Sequence, residues 1–152
     1  MQMFNSIGIT TVFTLVEYWD IINQSLSNSK NQDEQEAWLI SHLQNLEKPD
    51  TWYLQNAEEP QIVDFFIITH KLIEHLFNSP NWEYKCSKLN LSDDGSEYFA
   101  CWIISKGEQY YESILFHPDW IVDGEPNFER FSYIPYEALK RKNGKDIYEL
   151  LG

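Results

Sequence analysis

Apolar residues recur along this chain at intervals of three and four, the spacing that lines one face of a helix. The clearest case runs from Ser92 to Gly107. Ser92, or Asp93 or Asp94 if the helix begins slightly later, offers a side-chain oxygen to the unpaired amides of a first turn. Asp93, Asp94 and Glu97 place carboxylates at the positive end of the helix dipole. Phe99, Trp102 and Ile103 then share a face, and Tyr98 and Ile104 widen it. Lys106 stands near the negative end, and Gly107 either stops the rod or bends it. Cap, stripe and stop agree with one another, so the other elements are expected to pack around this segment.

The same reading applies on both sides of it. Thr14 and Glu17 match a capping box, with Phe13 and Tyr18 placed as a hydrophobic staple. Leu15, Tyr18, Trp19, Ile22 and Leu26 continue as a stripe that Ser27-Asn28-Ser29 ends. A second helix starts near Asn31 or Asp33, turns Leu39, Leu43 and Leu46 inward, and closes at Pro49. Residues 50–59 read as a loop. A third helix opens at Pro60, a residue favoured at the first helical position, and runs to Phe77 before Asn78-Ser79-Pro80. A short helix from about Pro80 to Leu89 carries Trp82 and Cys86. Beyond Gly107 an extension reaches Phe116, with Tyr111, Ile114 and Leu115 inward and Pro118 as its stop. Residues 119–133 are mixed. Pro135 opens a last helix capped by Gly144, and Asp146 to Leu150 adds a turn. The prediction is an all-α, single-domain bundle of about six helices over residues 14–152. An extended or frayed segment, residues 1–13, precedes it.

Composition supports a packed core without staples. A domain of about 150 residues buries roughly 68–70% of its unfolded surface. Six Trp, nine Tyr and nine Phe each bring about 150–250 Å² of ring to bury. The net charge of −13 changes the functional picture more. Phosphate backbones and anionic membrane surfaces would repel such a chain, so neither nucleic acid nor membrane is an expected partner. A basic protein would be steered toward it, although plain solubility also accounts for the charge. Lys140, Arg141, Lys142 and Lys145 make a small basic run that suits a helix end. Cys86 and Cys101 form no disulfide framework or metal motif and read as buried thiols of a reducing compartment. No Lys or Arg precedes Lys30, unlike the charged region of a secretory signal, and no apolar run approaches about 20 residues. A cytoplasmic location is expected.

The chain carries few recognisable chemical motifs. His70, Glu74 and His75 do not have the spacing of the zinc-protease helix motifs. They read as a solvated face with a His70–Glu74 pair at i,i+4. Asp93 and Asp94 resemble an acid–base or cation pair, but adjacent residues at a helix start point in different directions. Capping explains both. If one is not needed as a cap, its exposure beside Gly95 makes it a contact for a donor-rich partner. No phosphate loop, nucleophile elbow or dinucleotide fingerprint is present. No catalytic, cofactor-binding or metal-binding residue is assigned, and no cofactor is expected. The contact or capping candidates are Asp93, Asp94, Gly95 and Trp102.

The run Ser92-Asp93-Asp94-Gly95 with Tyr98-Phe99, Trp102-Ile103-Ile104, Gly107 and Tyr111-Glu112 resembles the bacterial domain of unknown function 4240 (DUF4240). Tyr18-Trp19-Asp20-Ile21-Ile22 is similar to that family's opening, and the resemblance spans roughly residues 14–148. Ala100 stands where the family usually has an arginine. Lys88-Leu89-Asn90-Leu91 replaces a glycine-rich approach, and the helix at Trp82 is about one turn short. Some members are associated with polymorphic toxin loci, which implies an immunity or regulatory role. Two expectations follow. One is a helical interaction module that binds a basic partner. The other is a small enzyme or ligand binder with a pocket near Asp93, Asp94 and Trp102.

Overall fold

The computed structural model describes residues 14–46, 60–117 and 126–151. The expected N-terminal segment, the stop at Pro49, the 50–59 loop, the stop at Pro118 and most of the 119–133 stretch lie outside the described residues. Among those described the fold is all-α, with eight α-helices, one 3-10 helix and no strand. They gather into two compact units. Unit one holds the described residues up to Ile68 and those from Tyr133 onward; unit two holds Thr69 to Ser132.

Unit one begins with α1, Leu15–Ser27. The Glu17 amide donates to Thr14 Oγ1 at 3.1 Å while the Glu17 carboxylate accepts from the Thr14 amide. This reciprocal box pairs two amides that a helix start leaves open. The buried face is Leu15, Tyr18, Trp19, Ile21, Ile22 and Ser25. α2, Gln32–Gln44, is capped by Asn31, whose Oδ1 accepts from the Glu34 amide at 2.9 Å. It ends before Pro49 because Asn45 takes over the last turn, its side-chain amide donating to the Ser41 carbonyl at 2.8 Å. α2 packs chiefly on α7, Ile134–Asn143, and also on α1, while α8, Ile147–Leu151, rests on α7. Gly144 follows α7 with φ of 74°, a left-handed conformation that costs other L-residues energy. Between α1 and α2, buried Ser25 Oγ donates to the Ile22 carbonyl and accepts from Gln35 Nε2 at 3.1 Å.

α3, Pro60–Phe77, runs from one unit into the other. Unit two continues with α4, Trp82–Lys88, α5, Asp93–Ser105, and α6, Glu108–Phe116. A 3-10 helix, Glu129–Tyr133, follows, which the sequence pattern does not predict. α5 is the segment singled out from the sequence, and it is buried: Phe99, Ala100, Cys101, Ile103, Ile104 and Ser105 all lie inside. Its inner face is therefore rotated from the predicted one, with Trp102 only half-buried. Ala100 is fully covered, so this position takes a small side chain. Gly107 has φ of 101° and stops the rod rather than bending it, with α6 starting afresh and packing on α5.

Two polar bonds tie unit two together. Tyr111 Oη donates to the Leu72 carbonyl at 2.9 Å. Lys85 Nζ, in a buried residue, donates to the Ile114 carbonyl at 2.9 Å. Ile114 lies in the last turn of α6, where carbonyls lack helical partners, so the cation closes a helix end. Rings supply much of the remaining packing. Phe77 and Trp82 have centroids 5.5 Å apart, and Trp82 stacks on Phe99 at 5.1 Å and 13°. Phe99 reaches Trp102, which meets Tyr110 edge-on at 5.6 Å.

Candidate functional site: an acidic and aromatic cleft

Two asparagines in the left-handed region frame α4: Asn81 at φ of 64° and Asn90 at φ of 57°. Asparagine tolerates this conformation better than most residues. At the C-terminal end the Leu91 amide donates to the Cys86 carbonyl and the Asn90 amide to the Ser87 carbonyl, both at 3.0 Å. This pair of bonds is a Schellman closure. It ends α4 abruptly and turns Leu91-Ser92-Asp93 back toward it. Ser92 then caps α5, accepting from the Gly95 amide at 3.0 Å.

The turn opens a cleft of about 650 Å³ within unit two. Phe77 contributes from the end of α3. Trp82, Glu83, Cys86 and Ser87 come from α4, Asn90 and Leu91 from the turn, and Asp93 and Ser96 from α5. Trp82 and Cys86 are buried and make the floor; Phe77, Glu83, Ser87, Asn90 and Asp93 are exposed and make the rim. Phe77 leaves 42% of its surface open. The lining therefore combines an accessible ring, two carboxylates and several small polar groups, and none of its described residues is a base.

The first turn of α5 contributes an opposing charge, equivalent to about +0.5 at a helix N-terminus. Glu83 and Asp93 bring two full negative charges to the cleft, and Asp94 stands beside Asp93. Ser92 already occupies the Gly95 amide. The side chains lining the cleft therefore carry net negative charge. Burial pushes the Cys86 thiol above its ordinary pKa, against a hydrogen bond with Ser96 and the charge of Lys85. It is held protonated at neutral pH, which suits a lining group rather than a nucleophile. Burial also pushes Cys101 up to about 12, with Glu97 adding to the effect. Both thiols are buried and unbridged.

The residues singled out from the sequence separate here. Asp93 lines the cleft; Asp94, Gly95 and Trp102 do not figure in its lining. Neither aspartate is the cap, because Ser92 is. Trp102 instead faces Lys106, whose Nζ lies 5.2 Å from the ring centroid, and Tyr110. Glu74, expected to face His70 at i,i+4, forms an i,i+3 ion pair with Lys71 at 3.2 Å. Among the described residues no three His, Cys, Asp or Glu side chains group as metal ligands. The basic run also has partners: Arg141 pairs with Glu137, Lys140 lies over Tyr136, and Lys142 Nζ donates to the Leu46 carbonyl at 2.9 Å. Sequence reasoning missed Phe77, Trp82, Glu83 and Ser96 as neighbours of Asp93. The available signal was the pair of asparagines bracketing a seven-residue helix, since asparagine tolerates the left-handed conformation that ends a helix sharply.

Among the described residues no helix is long and apolar enough to cross a membrane. No curated protein and no solved structure gives a significant match to this chain. A family model described as "Protein of unknown function (DUF4240)" matches residues 14–149, which include every residue lining the cleft. The chain belongs to the DUF4240 family.

Proposed function

We propose that this protein is an interaction module whose cleft between α4 and α5 receives a basic partner protein. The observation that carries the reading is the lining itself: Glu83 and Asp93 beside an exposed Phe77, with no base among its described residues. The net charge of −13 supports it by drawing a cationic protein in over distances comparable with the Debye length, about 8–10 Å in ordinary salt. An immunity or regulatory role in a cytoplasmic setting is the form this binding takes if the association of related proteins with toxin loci extends to this chain.

The test is titration with a short cationic peptide at low and at high salt. Affinity should fall as salt rises, because exposed charges are screened. Glu83→Gln combined with Asp93→Asn should weaken binding more than neutralising Glu74 and Glu129, which lie outside the cleft. Equal losses from the two double variants would reduce the effect to net charge and remove the cleft from the account.

The volume favours a second reading, since small-molecule sites occupy about 300–1,000 Å³. In that case a small organic cation binds directly. It predicts a rise in melting temperature with an amine or guanidine compound that Asp93→Asn abolishes, and no such rise in a broad screen would dismiss it.

A further inference from the structure

We infer that the group this cleft accepts is the guanidinium of an arginine, presented by the basic partner, rather than a lysine ammonium. The inference rests on the proposed binding of a basic protein and narrows it to one side chain. Three features of the lining separate the two cations.

The first is the exposed ring. Phe77 is the last residue of α3 and is 42% open, whereas Trp82 behind it is 5% open and stacked on Phe99. A planar guanidinium can lie flat on such a face and lose little hydration, while an ammonium is compact and strongly hydrated. The packing of Phe77 against Trp82 at 5.5 Å fixes where that face is.

The second is the spread of acceptors. Glu83 on α4 and Asp93 on α5 come from different elements, and Ser87, Asn90 and Ser96 line the same cleft. Five N–H donors in a rigid fork can meet acceptors on several sides at once. Three donors converging on one nitrogen satisfy a smaller set.

The third is shape. The floor is Trp82 and Cys86, both nearly covered, so the entering group meets apolar surface below and carboxylates at the rim. An arginine stem can lie on the apolar floor while its head stays among acceptors.

The experiment uses the full chain and three peptides identical except at two positions: arginine, lysine and citrulline. Citrulline keeps the planar shape and removes the charge. Binding is read by fluorescence anisotropy at fixed salt. The arginine peptide should bind roughly 3- to 10-fold more tightly than the lysine peptide, and the citrulline peptide should not bind. Phe77→Leu, which keeps apolar bulk and removes the π face, should erase the preference for arginine and leave lysine binding unchanged. Glu83→Gln should weaken both.

If arginine and lysine peptides bind equally and Phe77→Leu changes neither, the guanidinium inference fails while the interaction reading stands. If neither cationic peptide binds, the interaction reading fails and takes the inference with it. If arginine is preferred but Phe77→Leu and Glu83→Gln have no effect, the preference arises elsewhere on the surface and the cleft assignment is overturned.

Discussion

The two units use their polar groups differently. In unit one polar side chains bond to one another or to nearby carbonyls: buried Ser25 links the Ile22 carbonyl to Gln35, and half-buried Lys142 donates to the Leu46 carbonyl. Its Arg141 and Lys140 are matched locally by Glu137 and Tyr136. In unit two the interior is held by stacked rings and by two long-range bonds to helix carbonyls, from Tyr111 and Lys85. Around the turn after α4, carboxylates and an exposed ring face an open volume instead of each other. A helical fold of this size can be stabilised either way. The second arrangement leaves recognition chemistry unmatched, and that difference locates the candidate site.

The largest test of this contrast is a pair of core truncations. Phe99→Ala removes the ring between Trp82 and Trp102 and should cost about 3–5 kcal/mol; Leu43→Ala in unit one should cost about 2–5 kcal/mol. Urea unfolding measures both. Below the melting transition, Phe99→Ala should also weaken binding of the arginine peptide, because Trp82 loses its stacked support. Leu43→Ala should not. Equal effects on binding would erase the functional distinction between the units.

Alkaline pH should act through unit two. Cys101 has its folded pKa raised to about 12 by burial, above an unfolded value near 8.5. The folded state therefore binds more protons across that window. Stability from this group is full below the unfolded pKa and falls by up to about 1.4 kcal/mol per pH unit as pH rises through the window. Tyr111, also raised by burial, acts with the same sign above pH about 10. Lys85 has its pKa lowered by burial and acts oppositely, adding stability as pH rises toward its unfolded value near 10.4. Unfolding of Cys101→Ala between pH 8 and pH 10 should show a flatter decline than the parent, whatever its baseline stability. An unchanged slope would contradict the assignment.

Two lysines give a closer comparison, since each donates to a carbonyl at or just beyond a helix end at 2.9 Å. Lys85 is buried and Lys142 only half-buried. Lys85→Met should cost about 1–3 kcal/mol, because the Ile114 carbonyl is left without that donor away from water. Lys142→Met should cost less than about 1 kcal/mol, because water can replace it. Thermal melts of the two variants decide whether burial sets the order.

The smallest effects concern the two left-handed positions that end α4 and α7. Gly144→Ala should cost about 1 kcal/mol from conformation alone, as no atom lies within 4 Å of an added Cβ. Asn90→Ala should cost a similar amount, while Asn90→Gly should be neutral or slightly stabilising. Chemical denaturation of the three proteins checks the pattern.

Much of the fold could be read from the chain because its signals are local. Thr14 with Glu17, Ser92, Gly107 and Gly144 each declare a helix end through chemistry confined to a few residues. The stripe that identified α5 correctly marked it as interior. Its rotation, with Ala100 and Cys101 inside and Trp102 half-buried, was not legible, since it depends on which neighbours pack against it. The burial of Lys85 escaped for the same reason: its partner carbonyl lies 29 residues away. The cleft was half legible. Asp93 stood out as an acid beside a helix start, but Phe77, Trp82 and Glu83 join it only through the turn that Asn90 makes possible. Nothing in the spacing of aromatic residues distinguishes a ring at a cleft rim from one in the core.

The most direct measurement is an amide and indole NMR titration of the full chain with the arginine peptide. Shift changes should concentrate at Phe77, from Trp82 to Ser96 and at the Trp82 indole, saturating together, with α1, α2 and α7 unmoved. Changes confined to unit one, or spread evenly over every acidic surface, would overturn the cleft as the binding site.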